Sequence, residues 1–225
     1  MNYKKSIELY GDGIGRVDYV ESMGSDLTIV NSARVSFGTQ KEELDGRDRK
    51  LINYLASHRH TSTFEHNVVT FRFTVPLYVR YQHHRHRTWS YNEISRRYTD
   101  VNLQFYEPEQ FRTQHKSNRQ ASNPEELINP VGFAYEDGGE LRAASLIKRH
   151  HEQSFKLFED LLSSGVCREQ ARGVLPQNMY TEYYGTVNLS NLLKFIDLRT
   201  HEGAQWEIQK FAERCLALEI GREAC

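Results

Sequence analysis

The chain has 225 residues, 38% hydrophobic and 26% charged, with 29 basic against 30 acidic side chains; this balance excludes a disordered chain and a generic polyanion binder, and the length suffices for a proper core. No apolar run approaches the roughly 18–20 residues of a membrane helix, and MNYKKSIELYGDG lacks the apolar stretch of a signal peptide, so a cytoplasmic protein is expected. Cys167, Cys215 and Cys225 are widely spaced and form no C-x-x-C, which predicts neither a disulfide framework nor structural zinc.

In chain order, KSIELY reads as a short edge strand. GDGIGR resembles a phosphate loop, but Arg16 stands where a dinucleotide fingerprint needs its third glycine, and no βαβ unit surrounds it; a turn is expected. KEELDGRDRKLINYLASH places Leu44, Leu51, Ile52 and Leu55 at helical spacing. NVVTFRFTV alternates and is rich in β-branched and aromatic residues, as strands are. Pro76 then suits the first position of a helix, and PLYVRYQHHRHR reads as that helix. Residues 107–140 are polar, hold three of the five prolines and read as a surface excursion. ELRAASLIKRHHEQSFKLFEDLLSSG is a long amphipathic helix with Leu141, Ala144, Ile147, His151, Phe155, Phe158, Leu161 and Leu162 on one face, closed by Gly165. CREQARGVL predicts a helix ending near Pro176, MYTEYYGTV a strand, and NLSNLLKFIDLR and AQWEIQKFAERCLALEIG two final helices. Strands interleaved with several helices give an α+β class.

Residues 76–98 hold five arginines and one acid, Glu93. On a helix from Pro76, Gln82, Arg85 and His86 share a face; Arg87 and a loop, TWSYNEISRRY, follow. Arginine pairs bidentately with phosphate oxygens, while Ser90, Asn92 and Ser95 suit sugar hydroxyls and base edges. Glu93 is placed to orient an arginine or accept a ribose hydroxyl. The set suits a nucleotide. Three other readings stand beside it: a solvated basic face, a metal site at His83, His84 and His86, and an RNA-binding patch with Tyr81, Trp89, Tyr91 and Tyr98 interleaved. The basic face is disfavoured by the absence of lysine, the metal site by Arg85 and Arg87.

RHRTWSYNEISRRY (85–98) resembles the R-H-R-x-x-S-x-N-E-x-S-x-R-Y signature of flavin-dependent thymidylate synthases at every fixed position. ARVSF (33–37), TFEHNVVTFRF (63–73), ARGVLP (171–176), TVN (186–188) and LRTHEGAQWEIQ (198–209) agree in order, so the resemblance spans most of the chain except about 107–140. It implies one domain over 1–225, with a mixed or antiparallel sheet flanked by helices, assembled as a homotetramer with sites shared between subunits. It also implies reductive methylation of dUMP to dTMP, with 5,10-methylenetetrahydrofolate as one-carbon donor, FAD as hydride carrier and NADPH as reductant. Neither nucleic acid, membrane nor metal ion is implied.

Carried over by motif, Gln82, Arg85, Glu93, Ser95, Arg96, Arg97, Arg172 and Arg199 match dUMP-binding positions, with Arg97 a candidate for the phosphate. His66, Arg85, His86, Arg87, Glu93, Asn188, Ser190 and Lys194 match flavin-contacting positions; a hydrogen-bonded structural role for His66 stays open. Arg199 matches the catalytic arginine, which would stabilise uracil deprotonated at N3 without a cysteine nucleophile; a salt-bridged helix-end arginine is its alternative. Two departures bear on flavin contacts: Gly203 stands where relatives often have histidine, and Lys194 where some have asparagine.

Overall fold

The computed structural model describes residues 5–101, 103–132 and 141–220. A hairpin joins β1 (Lys5–Glu8) to β2 (Arg16–Met23). In its loop Gly11 and Gly13 take φ of 75° and 72°, left-handed values that cost glycine nothing sterically. Asp12 accepts hydrogen bonds from the Ile14 and Gly15 N–H groups at 3.0 and 2.9 Å, so GDGIGR is a turn, as expected. β3 (Val68–Pro76), β7 (Tyr180–Asn188) and β4 (Ser90–Glu93) complete a five-stranded sheet of order β1-β2-β3-β7-β4, and every pairing in it is antiparallel. β1 lies at an edge.

Alternation along β3 sends Val69, Phe71, Phe73 and Val75 to one face, joined by Tyr183 and Val187 of β7. Over them lie α6 (Leu189–Arg199) and α7 (Trp206–Ile220), which contribute Leu192, Phe195, Ile208 and Phe211 to the core. The other face is polar: the Thr70 and Thr186 hydroxyls meet at 3.0 Å, Arg72 pairs with Glu182, and Tyr184 is exposed. A smaller apolar cluster of Ile29, Leu55 and Phe64 joins α1 (Asp26–Arg34) to α2 (Gly46–Ser57). Arg34 ties the two helices further through the buried Asp48 (2.7 Å).

Several expectations need correction. Leu44 lies outside α2 and is exposed, because Asp45 caps the helix by accepting from Arg47 N–H at 2.7 Å. Pro76 is the last residue of β3 and precedes α3 (Leu77–His83). That helix stops before Arg85 and His86, so these do not share a helical face with Gln82. The Tyr91 hydroxyl reaches the carbonyls of His83 (3.0 Å) and His86 (3.1 Å), occupying the acceptors that further helix would use. Part of the predicted loop, Ser90–Glu93, is β4, paired along β7. Within the polar excursion β5 (Phe111–Gln114) and β6 (Ser122–Ile128) form a two-stranded sheet; residues 133–140 lie outside the described residues, as does Cys225.

The long helix is α4 (Ala143–Ser163), followed by Gly165 at φ 87°; His151, Ser154 and Phe158 are its buried residues. CREQARGVL divides into α5 (Arg168–Ala171) and a 3₁₀ turn, Arg172–Val174. β2 and α1 had no counterpart in the sequence reading. Among the described residues no helix is long and apolar enough to cross a membrane.

Candidate active site

The signature segment is a turn, a strand and a second turn laid against β7. Pairing of β4 with β7 sets Glu93 opposite Tyr183. From there its carboxylate receives Arg80 Nε at 2.9 Å and the Thr181 hydroxyl at 2.7 Å, one on each oxygen. Glu93 therefore orients Arg80, the first of the five arginines of residues 76–98. Both line a cavity of about 680 Å³ together with Ser95, Arg96, Glu169 and Arg172. Of the residues expected to bind nucleotide, the fold thus gathers Glu93, Ser95, Arg96 and Arg172.

Their engagements differ. Arg96 is buried and donates from Nη1 to the Val101 carbonyl (2.8 Å), holding the turn after β4; burial lowers its pKa. Arg172 makes one long bond, from Nε to the Glu169 carbonyl at 3.3 Å, and has no carboxylate partner among the described residues. Arg97 is exposed and pairs with Glu169 at 3.2 Å, so an incoming phosphate would compete with a carboxylate for it.

A second group forms where the turn after α3 meets the end of α6. Arg199 Nε–H donates to His86 Nε2 at 3.0 Å. Burial first, and the Arg199 charge second, depress the His86 pKa to about 4, so the imidazole is neutral at pH 7. An accepting Nε2 then fixes the remaining proton on Nδ1. Burial and the adjacent Arg85 charge also lower the Arg199 pKa. Neither Arg85, Arg87 nor Arg199 has a carboxylate partner among the described residues. Arg199 is thus a helix-end arginine without a salt bridge among the described residues. Two like charges collected without an acid make a site for an anion.

No hydrogen bond or ion pair among the described residues joins these two groups. Gln82 lies outside both: its amide donates to Gln205, whose own amide donates to Glu207 at 2.9 Å. Asn188 caps α6 by accepting from Asn191 N–H at 2.9 Å. Ser190 and Lys194 line a cavity of about 320 Å³ with Arg59 and His60, and His66 lines another of about 790 Å³ beside α1. His66 is exposed and has no hydrogen-bond partner among the described residues, unlike a structural histidine.

The three histidines at 83, 84 and 86 are engaged one by one. His83 is buried with Nδ1 2.9 Å from the Tyr183 hydroxyl, His84 stacks on Tyr91 at 4.0 Å, and His86 serves Arg199. Among the described residues no group of three or more His, Cys, Asp or Glu is placed to hold a metal ion. Cys215 is buried in the core; Cys167 is exposed and faces Gln170 at 3.6 Å.

Sequence reasoning missed Arg80, Glu169, Arg59 and His60 as lining residues. Arg80 was countable in the arginine run, but its partnership with Glu93 depends on strand register; nothing in the sequence singles out the other three.

A family model described as "Thymidylate synthase complementing protein" matches residues 18–221. The chain is 43% identical over 209 residues to the flavin-dependent thymidylate synthase of Thermus thermophilus, covering 93% of this chain and 72% of that protein. It is 38% identical over 211 residues to that of Thermotoga neapolitana, covering 94% and 87%. In structure it resembles the UMP/dUMP methylase PolB from Streptomyces cacaoi bound with 5-Br dUMP, with a TM-score of 0.76, 35% identity and coverage of 96% and 93%.

Proposed function

The chain belongs to the flavin-dependent thymidylate synthase family, and from that premise we propose that it methylates dUMP at C5 to give dTMP, with Arg199 as the catalytic residue. The observation that carries this reading is that Arg199, oriented by a neutral histidine, lies near Arg85 with no carboxylate partner for either among the described residues. Uracil C5 becomes nucleophilic when the N3 proton is lost and electron density moves into the ring. A guanidinium beside N3 and its neighbouring carbonyl oxygen stabilises that anion as an oxyanion hole does. With Nε held by His86, Arg199 keeps its two terminal nitrogens, unpartnered among the described residues, for the ring. Arg172 and, after release from Glu169, Arg97 bind the phosphate, with Ser95, Arg96 and Glu93 shaping the turn around it.

The donor set fits a flavin dinucleotide: Arg85 and Arg87 at the start of the signature, and Lys194 beside Ser190 in the smaller cavity, offer a pyrophosphate cations without acid partners among the described residues. When bound, FAD reduced by NADPH supplies the hydride and 5,10-methylenetetrahydrofolate the one-carbon unit. A thiolate addition to C6 is the other way to activate uracil. The described cysteines do not favour it, since Cys215 is in the core and Cys167 is not among the residues that line the cavity by α5.

Two groups that no hydrogen bond or ion pair joins among the described residues, and the exposed Val35 and Phe37 beside the His66 cavity (73% and 81%), favour a homotetramer whose sites are shared between copies. The reading places the enzyme in the cytoplasm. It is tested by the visible spectrum of the purified protein and by assay with dUMP, methylenetetrahydrofolate and NADPH. UMP runs alongside, since the structural neighbour is a methylase of both nucleotides. Flavin absorbance and dTMP are expected. A flavoprotein that oxidises NADPH without making dTMP contradicts the folate chemistry. A colourless protein whose affinity for single strands falls steeply with salt contradicts the whole reading.

A further inference from the structure

The C-terminus of α2 closes in a Schellman arrangement: Arg59 N–H donates to the Ala56 carbonyl at 3.1 Å and His60 N–H to the Leu55 carbonyl at 2.9 Å. The residue at the left-handed position of that motif is usually glycine. Here it is Arg59 at φ 57°, the one non-glycine residue with positive φ among the described residues. A side chain as large as arginine at such a position directs attention to what it reaches.

Arg59 lines the cavity of about 320 Å³ that also holds Ser190, Lys194 and Asp197, over apolar walls from Leu55 and Phe64. Neither Arg59 nor Lys194 has an ion-pair partner among the described residues, and Asp197 is the only acid of the lining. The two cations come from different elements, the end of α2 and the middle of α6, and the buried Ser190 lines the same cavity.

We propose that Arg59, with Lys194, forms a phosphate-binding pair for the pyrophosphate of a dinucleotide, and that the left-handed turn at the end of α2 serves to present this guanidinium. The proposal rests on the reading of Ser190 and Lys194 as flavin contacts and adds a determinant from outside the signature motif. FAD and NADPH both carry a pyrophosphate, and the experiment separates them.

Arg59→Gly is the informative variant, because glycine suits the left-handed position better than arginine and leaves the backbone hydrogen bonds in place. Purified apoprotein is titrated with FAD and with riboflavin, which lacks phosphate, and the flavin-loaded protein with NADPH while flavin reduction is followed. Losing a charge-assisted bond weakens binding about tenfold or more. If FAD is the ligand, Arg59→Gly weakens FAD by that factor, leaves riboflavin unchanged and melts at the same temperature as wild type or higher. If NADPH is the ligand, FAD affinity is kept and the NADPH concentration for half-maximal reduction rises by that factor. Arg59→Lys stays within a few-fold of wild type for the affected ligand. Unchanged FAD and NADPH affinities in Arg59→Gly overturn the proposal and leave Arg59 as a helix cap only. Wild-type protein that binds no flavin overturns the underlying flavin reading as well.

Discussion

Arg199 donates its Nε–H to a histidine and not to a carboxylate, and that partner decides what the guanidinium can do. A carboxylate would hold the side chain equally well but would cancel its charge. Neutral His86 orients Arg199 and leaves the full positive charge for a ligand. Replacing Arg199 by Ala is expected to abolish dTMP formation and weaken dUMP binding about tenfold or more, the usual cost of a lost charge-assisted bond. Cys167→Ala is expected to make dTMP at the wild-type rate; loss of activity there would restore the thiolate route.

The same contact predicts a pH response. The folded-state pKa of His86, about 4, lies below its ordinary 6.5. The stabilisation from keeping the ring neutral is therefore complete above 6.5 and is lost as pH falls toward 4. Around pH 4 protonation of the folded ring converts Nε2 from acceptor to donor and breaks the bond to Arg199. Histidine proton NMR should follow His86 titrating near 4. In Arg199→Ala its pKa should rise only part of the way to 6.5, because burial is the larger cause of the depression. An unaltered pKa in that variant means that the two side chains do not interact.

At the scale of elements, Gly185 of β7 makes room for the rings of Phe73 on β3 and Trp89 just before β4. A Cβ there would stand 2.7 Å from Phe73 Cε2 and 3.2 Å from Trp89 Cε3, both in buried rings. Gly185→Ala should cost about 1–3 kcal/mol, as overpacking does, measured by urea unfolding; wild-type stability would show that the rings yield freely. What the sequence disclosed follows the strength of local patterning. The alternation of 67–75 is undisturbed and its strand forms where expected, while the apolar spacing holds along α4 only from Ala144 onward, since the helix starts at Ala143 and leaves Leu141 outside it. β2 was not legible because a register shift between Tyr19 and Glu21 breaks its alternation, and Asp18 is buried beside Val17. α1 buries Ile29 and Val30, residues that favour strands, and its start is marked by a Thr28 hydroxyl accepting from Ser25 N–H at 3.1 Å. The end of α3 depends on Tyr91, eight residues beyond His83. The signature arginines were visible as composition; which of them stay free of acids is fixed by register and tertiary contact, which no local spacing encodes.

Within the whole molecule the residues proposed to bind nucleotide fall into two groups. Arg85, His86 and Arg199 meet at the end of α6, while Glu93, Ser95, Arg96 and Arg172 line the cavity by α5. Joining the groups across copies predicts complementation: inactive Arg172→Ala and Arg199→Ala chains, co-expressed and purified together, should recover dTMP formation in sites that draw intact groups from different subunits. A mixture as inactive as either parent would mean that each site uses one chain only, and light scattering should give the mass of four chains.

The central claim is that both groups hold the same uracil nucleotide. Calorimetric titration of dUMP into wild type, Arg172→Ala and Arg199→Ala tests it most directly. Both variants should bind dUMP about tenfold or more weakly, and Arg172→Ala should bind deoxyuridine, which lacks the phosphate, as wild type does. Wild-type dUMP affinity in either variant would contradict the account.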